Sequence, residues 1–133
     1  MPNKFFRILS FFIFPACVFF LSWFIDLAFN AYFVYPWIDI PMHFLGGFSI
    51  AYTAFLFLRF FREKGKMEIN NKALTILIVV SLVALTAVLW EFYEFLKYLL
   101  DISLKPNIED TLLDLFIGLL GGLTGSAVFG RKH

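Results

Sequence analysis

A chain of 133 residues, 61% hydrophobic with 20 phenylalanines, carries more apolar surface than a soluble core of this size can hide, so the surplus must face lipid. A net charge of +1 gives no electrostatic case for nucleic acid. The single cysteine, Cys17, excludes an intramolecular disulfide.

A hydrocarbon core takes about 20 helical residues at about 1.5 Å rise per residue. Four apolar stretches meet that length, at about 8–29, 41–61, 73–100 and 111–129. They predict an all-α membrane protein, a bundle of four transmembrane helices forming a single integral membrane domain over residues 1–133. The first stretch follows Lys4 and Arg7 in the manner of a signal peptide. Its apolar run is too long and no small-residue cleavage site follows, so it is read as a retained helix. Asp26 near its end is read as a solvated helix-end acid.

Orientation follows from the cations. Lys4, Arg7, Arg59, Arg62, Lys64, Lys66, Lys72, Arg131 and Lys132 all fall on one side of a four-helix zigzag, and only Lys97 and Lys105 on the other. The positive-inside tendency therefore predicts cytoplasmic N and C termini. Trp23, Tyr32, Tyr35, Trp37, Tyr93 and Tyr98 crowd the opposite ends, where an aromatic belt anchors helices at the interface.

The second, third and fourth stretches each carry a polar pair. Asp39/His43, Glu91/Glu94 and Asp110/Asp114 are spaced i, i+3 or i, i+4, which puts both members of a pair on one helix face. Counting outward from the cytoplasmic anchors places Asp39, Glu94 and Asp110 near the outer interface, with His43, Glu91 and Asp114 one turn deeper. The same faces continue as small residues: Gly46, Gly47 and Ala51 in the second stretch, Ala84 and Ala87 in the third, Gly118, Gly121, Gly122 and Gly125 in the fourth. Small residues at this spacing let helices approach closely in lipid, so the polar pairs are predicted to point into the bundle at one level. The Gly118/Gly122 and Gly121/Gly125 spacings also suit a homo-oligomer. Asp39/His43/Gly47 and Asp110/Asp114/Gly118 repeat one spacing, an echo that hints at two related hairpins.

Five carboxylates and one imidazole in a poorly hydrated site must bind a cation, keep protons or stay hydrated. Lys97 is placed to pair with Glu94 and Lys105 with Glu109, neither reaching Glu91 or Asp114. A divalent metal resolves the excess charge, and oxygen-rich ligation with one nitrogen suits manganese, iron, magnesium or zinc; six side chains have room for two ions. His43, Glu91, Asp110 and Asp114 are the predicted ligands, with Glu94 or Asp39 as general base or ligand-orienting group.

The strings IDIPMHFLGGF, WEFYEF and EDTLLDLFIGLLGG resemble the D-x3-H-F, E-x2-E and D-T-x2-D motifs of the YjdF-like family of bacterial inner membrane proteins. The pieces MHFLGGF and DLFIGLLGG are also similar to the VanZ-like family linked to glycopeptide resistance, although Ile40 follows Asp39 where that pattern favours lysine. The resemblance spans Asp39 to about Gly122 and implies the site without supplying a reaction. Two function classes stay open. One is a metal-dependent membrane hydrolase acting on a lipid or lipid-linked envelope substrate at the outer leaflet. The other is a non-enzymatic protein that binds a cation or proton, or fastens a partner.

Overall fold

A computed structural model of the chain describes residues 4–100 and 107–132. The chain is all helical there. Helices α1 (Lys4–Ser10) and α2 (Ile13–Phe29) are followed by a short α3 (Ala31–Val34) and a 3-10 turn at Pro36–Ile38. The long helices α4 (Asp39–Glu63), α5 (Lys72–Leu100) and α6 (Ile108–Phe129) complete the bundle. The last three are long and apolar enough to cross a membrane, and α1 with α2 makes a fourth span if that bent pair crosses as one.

The first span departs from the single helix predicted over 8–29. It bends by 43° between α1 and α2. The cause is Pro15. Proline has no N–H to give to the carbonyl four residues back, which is that of Phe11, and its ring crowds that carbonyl. The chain there makes short-range bonds instead, from Phe11 N–H to Ile8 O and from Phe12 N–H to Leu9 O, both 3.1 Å. The freed Phe11 carbonyl accepts the Thr53 hydroxyl of α4 at 2.8 Å, so the break also pins the first span to the second.

The other helices run close to their predicted bounds, and their ends have local causes. Asn107 caps α6 by accepting the Glu109 N–H at 3.1 Å, which starts that helix three residues earlier than hydropathy indicates. Asn71 caps α5 in the same way, accepting the Leu74 N–H at 3.1 Å. Helix α4 ends at Gly65, whose φ of +62° is the left-handed conformation glycine adopts freely. Lys66 N–H then returns to Phe61 O at 3.0 Å and Gly65 N–H to Arg62 O at 2.9 Å, the paired bonds of a Schellman stop.

Helix α4 is the hub, packing against α2, α5 and α6. Its contact with α6 is the closest. A Cβ on Gly47 would overlap the Gly118 carbonyl, and one on Gly121 would overlap the carbonyl of Phe44. Further along, Gly125 meets Ala51, so α4 and α6 run parallel. Helix α5 runs antiparallel to α6, with Val83 against Gly122 and Ala87 near Gly118. The glycine faces proposed for a homo-oligomer are thus covered within the chain, and dimerisation through them would have to displace α4.

Away from the polar pairs the core is Ala51, Ala54, Phe55, Leu58, Val79 and Val83. Aromatic rings tie the first span to α4 edge-on, as in Phe11 with Phe57 and Phe14 with Tyr52. The outward face of α5, with Leu77, Leu85, Leu89, Phe92 and Leu96, is exposed, as is most of α2. These are the surfaces a bilayer must cover. At the end carrying the cations, Glu63 joins Arg7 at 2.5 Å and Arg59 at 3.0 Å, linking α1 to the end of α4.

Candidate metal centre

The close α4–α6 approach builds the site. Gly47 lies one turn below His43, and Gly118 one turn below Asp114. Where the two glycines let the backbones touch, the turn above brings an imidazole to a carboxylate: His43 Nε2 lies 3.7 Å from Asp114 Oδ2. The same nitrogen lies 3.2 Å from Asp39 Oδ1, one turn back on its own helix. Helix α5, held to α6 by Ala87 and Val83, adds Glu91 and Glu94.

All six predicted residues come together, in two overlapping sets. His43, Glu91, Glu94 and Asp114 each place one donor atom within 4.8 Å of the others. Asp39, Asp110 and Asp114 do the same. Asp114 belongs to both. The division differs from the one the sequence implied: Glu94 stands with the histidine, and Asp110 stands with Asp39.

Depth is graded across the site. Asp110 is exposed, Asp39, His43, Glu91 and Glu94 are half-buried, and the Asp114 side chain is only 3% exposed. No other described residue hydrogen-bonds Asp114: its neighbours in the two sets are carboxylates and His43, and His43 Nε2 lies 3.7 Å away, beyond hydrogen-bonding reach. A buried carboxylate without hydrogen bonds is costly in a medium of low polarity. The predicted Lys97–Glu94 pair does not form, and the Lys97 ammonium lies over the Tyr93 ring at 5.6 Å instead. Lys105, predicted to pair with Glu109, lies outside the described residues.

The donor set suits a divalent ion. Two donors each about 2.0–2.2 Å from one ion sit roughly 3–3.6 Å apart at octahedral to tetrahedral angles. The 3.7 Å between His43 Nε2 and Asp114 Oδ2, two members of one donor set, is close to that spacing. This His/Glu/Asp group could therefore hold a metal.

Three neighbours of the cluster escaped the sequence reading. Thr111 lies beside Glu91, and its place between Asp110 and Asp114 in the EDTLLD string was the available signal. Tyr32 and Tyr98, read as interfacial anchors, lie within Coulombic range of Asp39 and Glu94. The Tyr32 hydroxyl pairs with Ser22, and the Tyr32 N–H reaches Asp26 Oδ1 at 3.4 Å, which holds α3 against the end of α2. Asp26 is half-buried and stands outside both donor sets.

Comparison with known proteins agrees with a membrane fold. The chain is 33% identical over 98 residues to an uncharacterized protein of Thermotoga maritima, a match covering 71% of this chain and 48% of that one. It spans about half the length of this curated relative. No solved structure matches it. Residues 3–133 match a family described as predicted membrane protein (DUF2238). A multi-pass helical chain with a polar cluster at one end of its bundle, it belongs to the DUF2238 family of predicted membrane proteins.

Proposed function

We propose that this protein is a metal-dependent enzyme of the prokaryotic cytoplasmic membrane, acting at the outer leaflet on a lipid or lipid-linked envelope substrate. The observation that carries the reading is the convergence of His43, Glu91, Glu94 and Asp114 from three helices within 4.8 Å. His43, Glu91 and Asp114 would hold the ion, three protein ligands being the usual number in catalytic zinc sites. The ion would activate water or polarise a phosphoryl or carbonyl oxygen of the substrate. Glu94 is within reach to take a proton, and Asp39, one turn from His43 on the same helix, adds a carboxylate beside the ring. Both termini are cytoplasmic in this reading, which puts the cluster at the outer interface among the aromatic anchors. The resemblance to the YjdF-like and, more distantly, VanZ-like proteins fits an envelope role.

The test is product formation. Purified protein in mixed micelles with polar lipids of a bacterial envelope, assayed by mass spectrometry, should release a cleaved headgroup or acyl chain only with added divalent metal. His43→Ala should abolish the release while the protein remains folded. Metal-independent turnover, or none with any lipid or lipid-linked phosphate, contradicts the enzymatic reading.

The 3.2 Å contact between His43 and Asp39 favours a second reading. A protonated imidazole between Asp39 and Asp114 neutralises part of the cluster without any metal, making it a proton-holding fastener of α4 to α6. That reading predicts loss of stability without loss of any turnover when His43 is replaced.

A further inference from the structure

We infer that the cluster is a dinuclear centre, with Asp114 bridging two divalent cations held in chemically different sites. The inference rests on the metal-binding reading above and goes beyond it in number, ligand assignment and selectivity. Three observations lead to it.

First, the two donor sets are complete in themselves and share one residue. The first offers one nitrogen and three carboxylates, and the second, Asp39 with Asp110 and Asp114, offers oxygen alone. A carboxylate has two oxygens and can give one to each ion, and ions bridged in this way sit about 3.5–4 Å apart in two-metal hydrolytic sites.

Second, Asp114 is the residue whose state demands an explanation. Its side chain is 3% exposed, it belongs to both sets, and among the described residues its one ion-pair partner is His43 at 3.7 Å, with no hydrogen bond to either oxygen. An ion on each oxygen satisfies both.

Third, charge favours two ions over one. The five carboxylates of the two sets have no cationic side chain among the described residues beyond His43 within ion-pair distance. With neutral His43, one divalent ion leaves three excess negative charges in a site walled by apolar helices, and two leave one.

The sites differ in selectivity. The nitrogen-bearing set suits zinc, iron or manganese, while the all-oxygen set, with Asp110 exposed, suits magnesium or manganese. Manganese is the ion both accept. It is therefore the probe.

Tag-free protein stripped with chelator and loaded with manganese should hold two ions per chain by elemental analysis. Its electron paramagnetic resonance spectrum should show the exchange coupling of a bridged pair. Asp110→Asn, at an exposed position that the packing does not need, should lower the count to one and replace that spectrum by the six-line pattern of an isolated ion. His43→Ala should also lower the count to one while keeping the oxygen-only site. One ion per chain in the wild type, unchanged in Asp110→Asn, overturns the dinuclear inference and leaves the single-metal reading standing. Two ions without coupling, or two retained in Asp110→Asn, overturns the bridge. No bound ion in the wild type overturns both.

Discussion

Gly46 and Gly47 are adjacent in sequence and opposite in consequence. A Cβ on Gly46 meets nothing within 4 Å, whereas one on Gly47 overlaps the Gly118 carbonyl, 2.8 Å from its carbon and 3.1 Å from Gly122 N. These neighbours are backbone and cannot rotate away. Restoring a carbon–carbon separation of about 3.5 Å from 2.8 Å requires α4 and α6 to part by at least about 0.7 Å. Overpacking of this kind costs about 1–3 kcal/mol, set against a gain of about 0.5–1 kcal/mol from replacing a helical glycine by alanine. Gly47→Ala should therefore be destabilised by roughly 1–2 kcal/mol, and Gly46→Ala unchanged or slightly stabilised. The functional effect should be larger than the stability effect. His43 and Asp114 ride one turn above this contact, and a shift approaching 1 Å exceeds the tolerance of a metal site, about 0.2 Å in ligand distance. Thermal unfolding in detergent, with metal retention measured on the same samples, checks both parts. Equal stability of the two variants, or full metal retention by Gly47→Ala, would refute the claim that the glycine contact sets the geometry of the site.

The bond between Thr53 and the Phe11 carbonyl makes a paired prediction. Thr53→Val leaves that carbonyl without a donor, because Pro15 cannot supply one, and should cost about 1 kcal/mol in the membrane setting. Adding Pro15→Ala gives the carbonyl an N–H four residues on, so the double variant should recover much of the loss and straighten the first span, read by unfolding and by spin-label distances across Phe11–Phe12. If Pro15→Ala worsens Thr53→Val, proline is not the cause of the break. At the other end, Arg7 and Glu63 are about 40% exposed, so Arg7→Gln should leave stability nearly unchanged, and any loss should shrink in high salt, when unfolding is followed at two ionic strengths.

Hydropathy placed α4, α5 and α6 within three residues of their observed ends, because the demand for apolar length in a bilayer leaves little freedom. It missed the break at Phe11–Phe12, although Pro15 was in plain view, because proline is common in membrane helices and kinks only some of them. That the polar pairs would converge was legible from the i, i+3 and i, i+4 spacings and the glycine faces beneath them. How they divide was not. Whether Glu94 or Asp110 stands beside His43 depends on the rotation of α5 and α6 about their axes. That rotation is set by contacts such as Val83 on Gly122, which no spacing within one helix encodes. Thr111 was missed for a related reason, since a threonine facing a partner looks the same in sequence as one bonding its own backbone.

The claim at the centre of this account is that His43 and the carboxylates around Asp114 hold a metal. Elemental analysis of protein purified in detergent, without chelator or a histidine tag, beside the His43→Ala/Asp114→Asn double variant, tests it most directly. The account predicts stoichiometric divalent metal in the wild type, lost in a double variant that still elutes as a folded, monodisperse protein. Absence of metal from both, or equal metal in both, would contradict it.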